Sequence, residues 1–600
     1  MPLCFESDGT PRWTVRKIAV IGPGIVGTPM AAMLAHAQVR IGSDRPARVT
    51  VIQRASATSG WKVAAINAGR SPIGGVEPEL DQIVAEAVAA RLLDASHDIG
   101  QVADADVILV CVQTDREGIN PDYGPLLEAL HGVAEALGCR PEGNLPLVVI
   151  ESTLAPSSMT TVVRELFASH GLVEGQDVLL ANSPNRVMPG RLVERVRQSD
   201  KLVAGLDPRT PPLVAALYRH VVTEGTVHQT SSLTAEIVKT LENAYRDVRI
   251  AYSAELCRWC DDNEVDFFAL REAVNARMQQ RDAASADPGA VPSGALLVPT
   301  IGVGGHCLPK DGVLLRWRRQ QQGHDDRRSL ILQARHINDA SPGVALDQIE
   351  RVFGVVKGRT VALLGVAYRF DSEDTRNSPT LALAQQFLAR GALIRLHDPH
   401  VRPDDQNLRR TGLGTFFTPE AGGAVWDAEL LVFCVAHQDY LTGLEGLLDL
   451  APDARGVFDG ANLFRRERIE RRGVAYAGIG RGWRAPTPAL VEFAAAGFGA
   501  LERGVANELH STIKFLNARF ADGPFNAASL EDVRRLAGTC VTGCEIRDAG
   551  PVFVPAPHEG FLPVLVRVAG RRRLLSDRED ARFEHRHEAP RPAPHGTVAG

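Results

Sequence analysis

No apolar run among these 600 residues reaches the roughly 20 that a membrane-crossing helix needs, and the N-terminus lacks the apolar core of a secretory leader. These absences point to a cytoplasmic chain without a membrane partner. An excess of one charge sign is also missing. The 66 Lys and Arg against 72 Asp and Glu leave a net charge of −6. A general nucleic-acid binder needs a positive excess, so that class is excluded. Cysteine is sparse. The nine thiols sit at 4, 111, 139, 257, 260, 307, 434, 540 and 544, with no doubled C-x-x-C spacing of a structural zinc site. Reduced thiols and no metal are the expectation. Cys257 and Cys260 fall inside a helical run and read as packing residues, as do Cys540 and Cys544.

What is present is a repeated β/α texture. Lys17–Ile21 (KIAVI) reads as a strand and flows into Gly22-Pro-Gly24-Ile-Val-Gly27 and a helical run to Ala37. Val49–Ile52, Val107–Val112 and Leu147–Ile150 read as further buried strands. Alternation of this kind predicts a doubly wound parallel sheet. From Ser232 the pattern turns helical, with Ile237, Leu241, Ala244 and Val248 on one face. Residues Asp282–Gly294, rich in Ala, Pro and Gly, read as a loop. A second α/β set follows, with strands at Thr360–Gly365, Leu393–His397, Leu430–Val435 and Gly456–Asp459. Pro488–Phe520 predicts one long helix, Val552–Val568 holds β-like runs, and from about 571 the chain is charged and rich in Pro and His, a composition expected to be disordered. The expected fold class is α/β: two Rossmann-like doubly wound domains joined by a long central helix, plus an α+β C-terminal extension. The boundaries are 1–228, 229–340, 341–484 and 485–600.

Several segments carry chemistry. Gly22-x-Gly24-x-x-Gly27 follows a strand and opens a helix, the context a dinucleotide site requires. Its glycines permit the tight turn, close approach to a pyrophosphate, and helix–strand packing. The second strand ends in Gln53-Arg54 rather than an acidic residue. Gln can bond a ribose hydroxyl, while an arginine suits a 2′-phosphate. Thr300–Asp311 places Cys307 in a glycine-rich loop, with His306, Lys310 and Asp311 beside it. Cationic neighbours favour the thiolate, and Gly302, Gly304 and Gly305 let backbone approach a ligand. Taken alone, the segment fits a nucleophile or a buried structural thiol. Lys239 and Asn243 are four apart on the predicted long helix and share a face, which Asp247 continues. Thr114, Glu151 and Thr153 follow strands, at the sheet edge where open α/β sheets bind ligands.

Together, GVGGHCLPKD, AEIVKTLENAYR, SPNRVMPG and GVAYRFDSEDTRNSP resemble, in order, the motifs of the UDP-glucose/GDP-mannose dehydrogenase family from about Arg16 to Arg481. The resemblance implies a nucleotide-sugar 6-dehydrogenase that oxidises C6 twice with NAD, a UDP-sugar as substrate, and a homodimer formed through the central helix. It implies Cys307 as nucleophile, Lys239 and Asn243 at the substrate oxygen, Asp311 as base, and Thr114 at cofactor and water. Gly22, Gly24, Ile25, Val26, Gly27, Gln53, Thr114 and Thr153 would hold the cofactor. Asn185, Arg186, Lys239, Asn243, Gly304, Tyr368, Arg369 and Arg376 would hold the substrate. Two departures stand out. Asn185 occupies the position of a family glutamate tied to thioester hydrolysis, and Gln53 replaces the usual acidic residue. Asp311 or Glu151 would then have to supply the base, or hydrolysis is slow. Gly-Gly-His-Cys resembles the branches that act on UDP-N-acetylhexosamines. UDP-glucose, or a catalytically impaired relative that senses or scaffolds, is the alternative. A plain 2-hydroxyacid-type dehydrogenase gives Cys307 no role.

Overall fold

The structure is a computed structural model and describes residues 4–5, 11–140, 145–280, 293–324, 329–540 and 561. The β-like runs at 552–568, nearly all of the loop at 282–294, and Cys544 lie outside the described residues.

Eight strands form the first sheet: β1 (Lys17–Ile21), β2 (Arg48–Ile52), β3 (Leu93–Ser96), β4 (Val107–Val110), β5 (Leu147–Ile150), β6 (Leu179–Asn182), β7 (Lys201–Gly205) and β8 (Val227–Ser231). Their order is β8-β7-β6-β5-β4-β1-β2-β3, parallel throughout except where β7 runs against β6. The apolar runs are continuous because both faces of the sheet are covered. Ile18 and Val20 of β1 pack on one side, Ala19 and Ile21 on the other. The strand order reverses at β1, with β2 on one flank and β4 on the other. The carboxyl ends there open a crevice, and α1 (Gly27–His36) starts from it.

A second sheet holds β9 (Thr360–Leu364), β10 (Leu393–His397), β11 (Leu430–Phe433), β12 (Gly456–Asp459) and β13 (Ala475–Gly478). It is wholly parallel, in the order β10-β9-β11-β12-β13.

Between the sheets run α3 (Ser232–Asp262), α4 (Phe267–Arg277), α5 (Leu308–Gln321) and α6 (Leu330–Phe353); a short α2 (Trp61–Asn67) lies beside the first sheet. The Ser231 hydroxyl caps α3 by accepting from the Thr234 N–H. Ile237, Leu241, Ala244 and Val248 are fully buried, as their spacing predicts. The polar strip is buried too. Asp247 pairs with Arg335 at 2.8 Å and accepts from Asn338 at 2.7 Å, so it ties α3 to α6 and does not continue a ligand-facing stripe.

Beyond β13 the described chain adds only helices, α7 having come earlier at Pro379–Ala389. They are α8 (Pro488–Phe520) and α9 (Leu530–Gly538). Leu490, Phe493, Phe498, Leu501, Val505, Leu509, Ile513 and Leu516 of α8 share one apolar core with α3, α4 and α6. Polar ties reinforce it: Tyr245 donates to Glu502 at 2.7 Å and Arg316 to Thr512 at 2.8 Å. Val533, Leu536 and Ala537 of α9 are buried in the same core. In consequence no residue of α3 is exposed in the single chain. The sequence reading put the dimer contact on this helix, and the extension, with α5 and α6, already covers it.

Candidate active site

A cavity of about 2230 Å³ lies where the carboxyl ends of both sheets meet α3 and the loop before α5. It is lined by Gly22, Gly24, Ile25, Val26, Gln53, Thr114, Thr153, Asn185, Arg186, Lys239, Asn243, Gly304, Cys307, Tyr368, Arg369 and Arg376. Of the residues expected at the site, Gly27 and Asp311 stand behind its wall.

The turn after β1 fits a dinucleotide. Gly22 has φ +93°, and a Cβ there would press on Cys111 O at 3.0 Å. A Cβ on Gly27 would sit 2.1 Å from Gly22 O, so this glycine serves turn–helix packing. A Cβ on Gly24 would meet nothing within 4 Å, so that side of the turn is open to a pyrophosphate before the N-terminus of α1. Gln53 donates to the Ser59 hydroxyl at 3.0 Å. Arg54 is paired with Glu128 at 2.7 Å, its charge already answered without a 2′-phosphate. Thr114 donates to Thr153 O at 2.8 Å, which locks the ends of β4 and β5 together.

Cys307 is exposed to the cavity and is the N-cap of α5. Lys239 faces the same space. Burial alone would lower its pKa, but Cys307, Asp311, Glu242 and Cys540 offset that and hold it above the ordinary value, so it stays an ammonium. Asp311 is fully buried. It accepts from the Asn243 amide at 2.5 Å and from Lys310 at 2.7 Å. These bonds aim Asn243 and pair Asp311 with Lys310. His306 does not supply the expected positive neighbour. Burial, then Lys310 and Arg376, push its pKa down to about 4, so the imidazole is neutral near pH 7.

The loop glycines also answer a different need. A Cβ on Gly304 would lie 2.6 Å from Tyr368 Cβ, and one on Gly305 (φ +84°) would lie 2.8 Å from the Tyr368 ring. Gly305 N–H donates to Arg376 O at 2.8 Å. These glycines admit the second domain's loop. They bring Tyr368, Arg369 and Arg376 to the cavity. Arg376 is held by Asp374 through Nε at 2.9 Å, which keeps its charge firmly in place. Arg369 has its pKa lowered by burial and by Arg195 and Arg191, the mark of a cation cluster that an anion would relieve.

Asn185 is also held. It donates to Glu151 Oε2 at 3.2 Å and accepts from the Val187 N–H at 2.8 Å. Glu151 has no exposed side-chain surface and is saturated. Lys201 donates to it at 2.7 Å, and the Tyr218 hydroxyl bonds its other oxygen. Arg186 spends its donors on Asp200 O, Thr539 Oγ1 and Leu536 O at 2.9–3.0 Å and on Glu242 at 2.5 Å. It rivets the extension to the loop and has no fork left for a phosphate.

The sequence reading missed three residues of the cavity wall. Lys62 donates to Pro23 O at 3.2 Å, and burial lowers its pKa. Arg246 is half-buried beside Arg249, with its pKa lowered to about 10 by burial first. Cys540, read as a packing residue, lines the cavity. The i, i+3 spacing of Arg246 from Asn243 was a usable signal; Lys62 and Cys540 carried none. Cys257 and Cys260 do pack, at 1 % and 0 % exposure. Asp371, His400 and His437 also cluster, but both ring nitrogens of His437 are engaged, with Asp398 at 3.1 Å and the Asp371 N–H at 2.9 Å.

Comparison with known proteins matches this geometry. The sequence profiles of the UDP-glucose/GDP-mannose dehydrogenase family match in order: the NAD binding domain over residues 16–222, the central domain over 233–340 and the UDP binding domain over 362–466. UDP-N-acetyl-D-mannosamine dehydrogenase of Pyrococcus horikoshii is 30 % identical over 471 residues, 78 % of this chain and 99 % of the relative. NDP-N-acetyl-D-galactosaminuronic acid dehydrogenase of Ralstonia nicotianae is 29 % identical, over 71 % of this chain and 92 % of the relative. Among solved structures, the UDP-D-ManNAc dehydrogenase of Pyrococcus horikoshii has a TM-score of 0.63 at 30 % identity, covering 78 % of this chain and 99 % of that one. No described helix is long and apolar enough to cross a membrane. With a glycine turn built for NAD, a cavity-facing thiol and a second sheet that brings arginines to it, the chain belongs to the UDP-glucose/GDP-mannose dehydrogenase family and is an NAD-dependent nucleotide-sugar dehydrogenase.

Proposed function

We propose that the chain oxidises C6 of a UDP-N-acetylhexosamine from alcohol to uronate, through a covalent adduct on Cys307. The observation that carries this reading is the convergence of Cys307, Lys239 and an Asp311-aimed Asn243 on one cavity. NAD, when bound along Gly22–Val26, Gln53 and Thr153, accepts one hydride in each oxidation. The C6 alcohol first loses a hydride and a proton and becomes an aldehyde. The Cys307 sulfur then bonds to the aldehyde carbon. Lys239 and Asn243 hold the oxygen of the resulting thiohemiacetal, as a fixed charge and a neutral donor. Loss of a second hydride and proton leaves a thioester. Water cleaves the C–S bond, releasing the uronate and restoring the thiol. Tyr368, Arg369 and Arg376 hold the nucleotide diphosphate, Arg369 most directly because its charge is least answered. Gly-Gly-His-Cys, and the N-acetylated sugars in the relatives' names, support the substrate class.

None of Asn185, Glu151 and Asp311 is a free base for the water step. Asn185 cannot take a proton, Glu151 is saturated, and Asp311 is committed to Asn243 and Lys310. Thioester release is therefore the slow step in this reading. The test is a panel of UDP-sugars with NAD, read as NADH per mole of sugar. Two NADH and a uronate from a UDP-N-acetylhexosamine are expected. Tight binding of a UDP-sugar with no NADH from any of them would establish the sensor reading instead.

A further inference from the structure

The matched profiles end at residue 466, yet the extension beyond them reaches the cavity. We propose that the C-terminal end of α9 is a wall of the sugar subsite, so that the extension selects the sugar. This rests on the functional reading above.

The first observation is the mounting. Arg186, one residue after Asn185, is almost wholly buried and bonds both Leu536 O and Thr539 Oγ1. The loop at the end of β6 and the end of α9 are thus one polar unit. The second observation is the floor beneath it. Val533, Leu536 and Ala537 are buried in the core built on α3, the helix that carries Lys239 and Asn243. The wall and the reacting groups therefore share one rigid element. The third is the tip itself. Cys540 lines the cavity with Lys239, Glu242 and Arg246. Its sulfur lies near Lys239, Arg186 and Arg246. The wall therefore stands at the reacting end of the cavity, where the hexose rather than the nucleotide sits.

Its chemistry favours an acylamino substituent over a bare hydroxyl. A thiol is a small, weakly polar surface that suits a methyl group. Gly538 and Thr539 leave the last turn without a bulky side chain that would fill the space.

The experiment uses the full chain and compares wild type with Cys540→Phe. UDP binding is measured by calorimetry, and KM for a UDP-N-acetylhexosamine and for NAD by NADH formation. The phenylalanine is expected to raise the UDP-sugar KM by about tenfold or more, with KM for NAD and the affinity for UDP within about threefold. That split is the difference between a blocked sugar pocket and general damage. In wild type, the UDP-sugar but not UDP is expected to slow alkylation of Cys540 by iodoacetamide, read by peptide mass spectrometry; this holds even if the variant folds poorly. A UDP-sugar KM indifferent to Cys540→Phe, or equal alkylation with and without the UDP-sugar, overturns the wall. A wild-type chain that binds neither UDP nor any UDP-sugar overturns the functional reading, and the wall with it.

Discussion

Under the proposed function, a single amide at residue 185 sets the pace of the reaction. Asn185 donates to Glu151 and cannot take up a proton as a base. Asn185→Glu would set two carboxylates side by side, which raises one pKa and creates a base of the right strength. Acid release is expected to rise by about 10²-fold, the low end for a recovered general base, and the thioester trapped on Cys307 by acid quench should disappear from mass spectra. An unchanged rate would place the slow step elsewhere. His306 carries a second prediction. Its folded pKa of about 4 lies below the unfolded value of about 6.5. A depressed pKa contributes stability above pH 6.5 that is lost as pH falls toward 4. His306→Gln should therefore lose less stability than wild type between pH 7 and 5, in urea unfolding. The same variant should leave the pH profile of Cys307 alkylation above pH 7 unmoved, because the imidazole is neutral throughout. A shifted profile would restore His306 as the thiol's activator. The residue types at the site were legible in the sequence. Their commitments were not. Nothing near Arg186 in the chain announces that its partners lie at 536 and 539, some 350 residues on.

At the scale of elements, helix and strand positions followed from periodicity almost to the residue. Leu393–His397, Gly456–Asp459 and Pro488–Phe520 fall where the pattern puts them, because buried parallel strands and a core helix have no competing surface to satisfy. The Thr300–Asp311 loop was harder. Glycines there read as room for a ligand, whereas Gly304 and Gly305 give room to Tyr368. Sequence reports that a Cβ is missing; only the fold says what fills its place. Helix α8 was legible as a helix, but its burial against α3, α4 and α6 was not. Phe498 is fully buried in that interface, 6.3 Å from the Tyr252 ring. Phe498→Ala should cost about 3–5 kcal/mol in urea unfolding. A loss below about 1 kcal/mol would mean that α8 is not part of the core.

For the molecule as a whole, two sheets turn their carboxyl ends toward one cavity, and a helix-borne set of polar groups closes it from the side. The loop of Cys307 is useful only because α5 starts beneath it and Tyr368 packs across it. The extension adds a third participant, one that the family's usual length does not include. The central claim is that the second oxidation runs on sulfur. It is tested most directly by the uronate formed per enzyme by Cys307→Ser, given NAD and a UDP-N-acetylhexosamine that wild type converts. The account predicts no uronate and at most an aldehyde-level product with a single NADH. Uronate from Cys307→Ser at the wild-type rate would contradict it.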